Sequence, residues 1–350
     1  MFSNLKKKFT PNLSIDLGTS NVIVHLSDKG IIINEPTVVA INNRTDQILE
    51  IGHEAKKMLG RTPPHISVIK PLINGIISDF EVTEKMLKYF IDKLHSDRIL
   101  SIARPKVIIG VPINITEVEK KAVEDAVLSA GAKDVYLIEQ PIAAALGSQI
   151  NINNPSGNLI VDLGGGKTEI AVISLGGIVN SKKTEIAGDK FNQNIIEAIH
   201  EEFNILLGQT LAEEVKINIG SAVLLKKEIT MSVSGRDLTT GLPREIVLND
   251  SQVRKALEKS LDLIIDDIKN TIETTPPELI SDIYKKGIIV CGGGALLKGI
   301  DELISQKVKI PVTIVDDPLT CVIRGLAILH EDEKMLKNTV ALLENASLIK

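Results

Sequence analysis

The chain contains no tryptophan, and all aromatic residues together make up 3% of its 350 residues. Its cores must therefore be built from isoleucine, leucine, valine and alanine, and a hydrophobic fraction of 43% is ample for that. There are two cysteines, Cys291 and Cys321, both in apolar stretches, which predicts buried, reduced thiols and a reducing compartment. The six histidines are scattered, with no HExxH and no Cys/His cluster, so a protein-held zinc site is not expected. No apolar run reaches the roughly 18 residues of a membrane span. The opening "MFSNLKKKFTPNL" has a basic cluster but neither the apolar segment nor the cleavage site of a signal peptide. A net charge of -5 argues against a nucleic-acid partner held by bulk positive charge.

Length suits two domains better than one. Strand signals come first, in "LSIDLG", "NVIVHLS" and the β-branched run "GIIINEPTVVAIN". "EVTEKMLKYFIDKL" has apolar residues at helical spacing, and "PKVIIGVP" reads as a buried strand between prolines. In "TEVEKKAVEDAVLSAGA", Thr116 and Glu119 form a capping box, and Gly131 ends the helix. "DVYLIEQP" is again a strand and "IAAALGSQI" a small-residue helix. Alternation of this kind means an α/β fold.

The pattern then restarts. "LSIDLGTSNVIVHLSDKGI" aligns without a gap on "LIVDLGGGKTEIAVISLGGI", so that Asp16 matches Asp162 and Gly18 matches Gly164, about 146 residues apart. That period is too long for a solenoid and predicts two related α/β domains, each offering a hairpin to one ligand. Further on, "AGDKFNQNIIEAIHEEFNILLG" is helical after its opening turn, and "EITMSVSGRDLTTGLPREIVLN" reads as a strand pair. "SQVRKALEKSLDLIIDDIKNTIETTP" is a long amphipathic helix stopped by Pro276 and Pro277. "KGIIVCGGGALLKGIDELISQ" reads as strand, triple glycine and helix.

A turn of small residues between strands points successive backbone N–H groups into one concavity that suits phosphate oxygens. "DLGTSN" adds two hydroxyls and an amide; "DLGGGK" offers nearly bare backbone and one cation. Asp16 and Asp162 stand at the strand ends, and Mg²⁺ prefers one or two carboxylates with retained waters and phosphate oxygens. "GGGAL" at 292–296 is expected to open a helix that packs against a base or sugar. GxxxxGK[ST] does not occur, and "GGGALL" lacks the GxGxxG spacing, which excludes the P-loop and dinucleotide-binding readings.

These motifs resemble the actin-like ATPase fold of actin, the Hsp70 ATPase domain and sugar kinases. They are most similar to the MreB family of bacterial actin-like proteins. "IDLGTSNVIV", "NGIISDFEVTEKMLKYFI", "VIIGVPINITEVEKKAVEDA", "IEQPIAAALGS", "PSGNLIVDLGGGKTEIAVISLGGIV", "LAEEVKINIGSA", "SGRDLTTGLPREI", "TPPELISDIYKKGIIVCGGGALLKG" and "PLTCVIRG" carry the resemblance, from about residue 12 to 335. It implies duplicated ribonuclease H-like domains forming two lobes around a nucleotide cleft. Domain I would span 1–145 plus about 318–350, with a small subdomain at about 32–66. Domain II would span 146–317, with a small subdomain at about 183–246. It further implies an ATP-dependent, cytoplasmic filament protein of cell shape, polymerising with itself as paired protofilaments on the inner membrane face, alongside cell-shape membrane proteins.

By motif match, phosphates would lie against Gly18, Thr19, Ser20 and Asn21, and against Gly164, Gly165, Gly166 and Lys167, with Mg²⁺ held by Asp16 and Asp162 through water. Gly188 and Asp189 would approach the nucleotide. Glu213, Glu214, Val215 and Lys216 would meet the ribose, and Gly292, Gly293, Gly294, Ala295 and Leu296 the adenine. The basic-flanked apolar residues Ile99, Leu100 and Ile102 would touch the membrane. Val118 would be a lateral filament contact, while Ala122, Val123 and Ala126 fit a buried stripe.

Two positions depart from the family pattern. Family members usually have "EEP" where this chain has Glu139-Gln140-Pro141, and threonine where it has Lys167. Glu139, Gln140 and Lys167 would bear on hydrolysis. Glutamine holds a water but cannot accept its proton, and positioned acid–base groups contribute about 10²–10⁴-fold. Lys167 could contact a phosphate, pair with Asp162 or point to solvent. The expectation is firm ATP binding with slow hydrolysis. An actin-fold phosphotransferase or an Hsp70-like ATPase are the alternatives, although no sugar-enclosing insertion or peptide-binding region is evident.

Overall fold

The computed structural model describes residues 12–96 and 104–348. Ile99, Leu100 and Ile102, the expected membrane contacts, lie outside the described residues. The chain divides into two compact units, Met1–Pro155 with Ile173–Ile178 and Leu319–Lys350, and Ser156–Val172 with Val179–Pro318.

In the first unit, β1 (Asn12–Leu17), β2 (Asn21–Leu26), β3 (Gly30–Pro36), β4 (Lys106–Val111) and β5 (Asp134–Glu139) form one sheet in the order β5-β4-β1-β2-β3. β1 runs antiparallel to β2 and parallel to β4. Val107, Ile108 and Ile109 on β4 are fully buried, as a parallel strand covered on both faces requires. The run "GIIINEPTVVAIN" does not continue as one strand. Pro36 has no N–H to donate, and the Thr37 amide turns to the Ser20 carbonyl at 2.9 Å. The chain then enters a separate three-stranded sheet of Val39–Asn42, Gln47–Ile51 and Ile66–Ile69.

Helices α1 (Phe80–Ser96), α2 (Glu117–Ser129) and α3 (Gln140–Gly147) follow. The capping box of α2 forms as expected, with Glu119 N donating to Thr116 Oγ1 at 3.2 Å and Thr116 N to Glu119 Oε2 at 2.7 Å. Gly131, at φ 114, follows its C-cap. Val123 and Ala126 are buried, Ala122 is half-buried, and Val118 is 79% exposed.

In the second unit, β6 (Asn158–Leu163), β7 (Thr168–Ser174), β8 (Gly177–Thr184), β9 (Ile288–Cys291) and β10 (Val312–Ile314) form a sheet in the order β8-β7-β6-β9-β10. Its connectivity repeats that of the first sheet. Asp16 pairs in register with Gly110 on the parallel strand β4, and Asp162 pairs with Cys291 on the parallel strand β9. The sequence repeat is therefore a repeat of topology. Helices α4 (Gly188–Phe203), α5 (Gln209–Ile219) and α6 (Asp250–Glu273) share the core around Ile195, Val215 and Leu261. α6 begins at an Asn249–Gln252 capping box and stops before Pro276, while Pro277 starts the next helix, α7 (Pro277–Lys286). A helix α8 (Ile300–Val308) precedes β10.

The chain re-enters the first unit as α9 (Cys321–Glu331) and α10 (Glu333–Leu348). α9 crosses α3 where both backbones are bare. A methyl on Gly325 would overlap the Ala143 carbonyl, and one on Gly147 the Cys321 carbonyl. Both cysteines are buried and outside any disulfide, as expected, and Cys321 Sγ lies 3.2 Å from the Ala144 oxygen. Gly325→Ala should therefore force the helices apart and cost about 3 kcal/mol, read as a lowered urea midpoint.

His330 on α9 meets Ser14 Oγ at 2.9 Å through Nδ1, and its Nε2 is buried without a hydrogen-bond partner among the described residues. Burial, with Lys106 and His25 adding repulsion, pushes its pKa down from 6.5 to about 4. Between those values the unfolded chain binds more protons, so stability present above pH 6.5 is lost as pH falls towards 4. His330→Gln should flatten urea midpoints measured between pH 4.5 and 7.5, removing up to about 3 kcal/mol of pH dependence.

Candidate functional site

The two glycine turns are built alike. Gly18 N donates to Asn21 O at 3.1 Å, and Gly164 N to Lys167 O at 3.0 Å. In each, a Cβ on the glycine would sit 2.8 Å from the carbonyl oxygen that closes the turn. Only glycine lets the strand end fold back this tightly, and that leaves intervening backbone amides at the C-terminal end of β1 and of β6.

In the first unit the turn is buttressed from two sides. Thr37 Oγ1 donates to Gly18 O at 2.7 Å, and Gly75 N donates to Thr19 Oγ1 at 2.8 Å. Thr19 is buried, so its hydroxyl oxygen serves the turn itself. The Asn21 amide donates to Asn34 Oδ1 at 2.8 Å. Beside the turn, Gln140 at the start of α3 donates through Nε2 to Asp16 Oδ1 at 2.8 Å. Gln140 is buried, and its Oε1 has no hydrogen-bond partner among the described residues. Glu139 is half-buried at the N-cap of the same helix.

In the second unit, several expected residues meet. Gly188 N donates to Gly164 O at 3.1 Å, and Asp189 N to Gly165 O at 2.7 Å, which ties the start of α4 to the turn. Lys216 on α5 donates through Nζ to Gly188 O at 3.0 Å. The glycine run 292–294 lies over the end of β6, where a Cβ on Gly292 would collide with Asp162 and one on Gly294 would stand 2.7 Å from Leu163 Cβ. That run does not open an α-helix. Gly293–Leu296 is a single 3₁₀ turn, because Gly292 at φ 80 redirects the chain and Gly299 at φ 74 delays α8 to Ile300. Val215 is fully buried in the core, so its side chain faces away from any ligand, whereas Glu213 is half-buried and Glu214 exposed.

Of the three courses left open by the sequence, the structure rules out the one in which Lys167 points to solvent. Lys167 is buried, and its ammonium is ion-paired with Glu169, which is fully buried on β7. Lys167 immediately precedes β7, and Glu169 is its second residue, so the two side chains lie two positions apart along an extended stretch. Burial pushes the nearby Asp162 carboxyl up to about 6; the Lys167 ammonium opposes this, the Glu169 carboxylate adds to it, and a Cys291 hydrogen bond opposes it. Glu169 was not singled out from sequence, although its i, i+2 spacing from Lys167 was an available signal, and Cys291 was read only as a buried thiol.

The family model described as MreB/Mbl protein matches residues 10–338. The chain belongs to the MreB/Mbl family. It is 45% identical over 324 residues to the cell shape-determining protein Mbl of Bacillus subtilis, covering 93% of this chain and 97% of that protein. It is 42% identical over 329 residues to the cell shape-determining protein MreB of Escherichia coli, covering 93% and 94%. Among solved structures, it is similar to MreB5 of Spiroplasma citri bound to ADP, with a TM-score of 0.89, 38% identity and coverage of 94% of this chain and 98% of that one. Membership explains the doubled sheets, which are those of the actin-like fold. Among the described residues of this MreB/Mbl chain, no helix is long and apolar enough to cross a membrane. None of them form a group of three or more His, Cys, Asp or Glu able to hold a metal.

Lys167→Thr should remove the ammonium beside a carboxylate that cannot reach water, at a cost of about 3–5 kcal/mol. Lys167→Thr/Glu169→Gln should recover much of it, which a double-mutant cycle in urea would measure.

Proposed function

We propose that this chain binds ATP and polymerises into cytoskeletal filaments that take part in cell shape, and that it hydrolyses ATP slowly. The observation that carries the reading is the doubled turn: two glycine turns of the same geometry, each beginning two residues after an aspartate, in a chain of the MreB/Mbl family. The nucleotide in the relative MreB5 supports it, as do the roles named for Mbl and MreB. Backbone amides of 18–21 and 164–167 would cradle the phosphates. Gly188, Asp189, Glu213 and Lys216 would border the ribose, and 292–296 the base.

Mg²⁺, when bound with the phosphates, would neutralise part of their charge. Asp16 and Asp162 suit it through intervening water. Mg²⁺ beside phosphates keeps several waters and needs only one or two carboxylates, and Asp16 already accepts the Gln140 amide. Asp16 and Asp162 would therefore contribute charge and orient waters.

Hydrolysis would turn on Gln140. With Nε2 held by Asp16, its buried Oε1 is an acceptor aimed by the protein, able to receive one hydrogen from a water. An amide oxygen at neutral pH does not go on to take the proton, so the water is oriented but not activated. Lys167, ion-paired with Glu169, offers no hydroxyl at the end of the turn. Assembly would be head to tail with pairing through Val118, whose apolar side chain projects from the start of α2, and it would take place at the inner membrane surface.

Phosphate release measured beside sedimentation, with ATP and Mg²⁺, tests the whole reading. The parent should pellet with ATP while releasing phosphate slowly. Gln140→Glu/Lys167→Thr, checked for folding, should release it about tenfold faster, or 1.4 kcal/mol of barrier, with a smaller change in ATP binding. Val118→Glu should yield single instead of paired filaments in electron micrographs. A protein that transfers phosphate to a sugar and never pellets would overturn the filament reading.

A further inference from the structure

A cavity of about 410 Å³ lies within the second unit, and none of its walls belongs to the glycine turns or to the residues assigned to the nucleotide. That volume is in the range of small-molecule sites, about 300–1,000 Å³. Helix periodicity builds it. Ser251, Arg254, Lys255, Glu258, Leu261 and Asp262 recur at spacings of three and four, so they share one face of α6. Leu303 and Lys307, one turn apart on α8, supply a second wall. Ala222 adds a third, and with Leu261 and Leu303 it forms the apolar part of the lining.

The charges around this cavity are of two kinds. Some already have partners. Lys307 Nζ lies 3.3 Å from Asp262 Oδ1, an ion pair that ties α8 to α6. Arg254 is oriented from the interior: Nη1 donates to Asp250 Oδ2 at 3.4 Å and Nη2 to Ser251 Oγ at 3.2 Å. Asp250 is buried and its Oδ1 accepts from Ile229 N at 3.1 Å, so the guanidinium stands on a fixed support. A guanidinium carries five N–H donors in a planar fork, and these two bonds leave part of the fork for a carboxylate. The other charges have no partner. Lys255 and Glu258 are exposed, stand three residues apart on α6, and form no hydrogen bond or ion pair with each other or with any other described residue.

We propose that the cavity binds a small zwitterion with an apolar body, of the class of an apolar α-amino acid. Its carboxylate would meet Lys255 and the open side of Arg254, its ammonium would meet Glu258 one turn along α6, and its apolar body would cover Leu261, Leu303 and Ala222. A purely anionic ligand would set its charge against Glu258, and a purely cationic one would set its charge against Lys255 and Arg254. The inference is independent of the nucleotide reading above.

Titration calorimetry of the full chain at neutral pH tests this, with phenylalanine as the probe. Phenylacetate lacks its ammonium, phenethylamine its carboxylate and glycine its apolar body. Phenylalanine should bind the parent one to one, at least about tenfold more tightly than any of the three. Glu258→Gln should cut the preference over phenylacetate by about tenfold, and Lys255→Gln the preference over phenethylamine by a similar factor. Both side chains are exposed, so these variants should keep the fold, checked by circular dichroism. Lys285→Gln removes an exposed ammonium of the same unit outside the cavity and should change neither preference. No binding of millimolar phenylalanine, equal affinity for phenylacetate, or a preference left unchanged by either Glu258→Gln or Lys255→Gln would overturn the inference.

Discussion

A backbone amide that reaches forward to a carbonyl three residues on, with no room for a side chain at the donor, is the constraint around which both halves of this protein are arranged. Gly18 and Gly164 make the same turn at the same place in two sheets of the same connectivity. The turn ends one strand and begins the next, so it fixes where β1 and β6 stop. It also fixes where their neighbours, β4 and β9, present a residue level with the aspartate. Everything proposed to touch a nucleotide is positioned by reference to those two turns. In the second unit the turn's own carbonyls accept from the first residues of α4, so the helix is docked on the turn by hydrogen bonds that also use up its carbonyl groups.

Charge divides the two sites where geometry repeats. Asp16 is half-buried and meets a neutral donor, whereas Asp162 is buried beside an ion pair and is held in part by a thiol. A buried ion pair contributes less to stability than its Coulomb attraction suggests, because both groups have lost water. In the first unit the Gln140 amide is aligned by the Asp16 carboxylate that accepts from it.

The helix packing in the first unit shows how bare backbone is used away from the site. Gly147 and Gly325 let α3 and α9 approach until carbonyls and amides nearly touch, and that contact anchors the helix that carries Gln140 at its start. A side chain at either glycine would move Gln140 with its helix. The half-buried His330 lies on the other helix of that pair, against Ser14 of β1, so packing and protonation of the first unit are linked on the strand that carries Asp16.

Sequence by itself determined the duplication, the class of fold, the two aspartates, the glycine turns and the capping box of α2. Each of these is written in local periodicity or in residues whose backbone demands are absolute. The break at Pro36 was legible in principle and was overridden by a run of β-branched residues. What only tertiary structure decided was where side chains with several possible partners went. Lys167 could have pointed to solvent, but it is buried and ion-paired with Glu169, since an unpaired ammonium could not remain in that interior. Val215 sits in the middle of a motif and yet points into the core, since helix phase and not motif membership sets direction. The triple glycine at 292–294 reads as a helix start but closes as a single 3₁₀ turn over β6. A flexible glycine backbone takes whatever path the neighbouring strand leaves open, and no local pattern records that path.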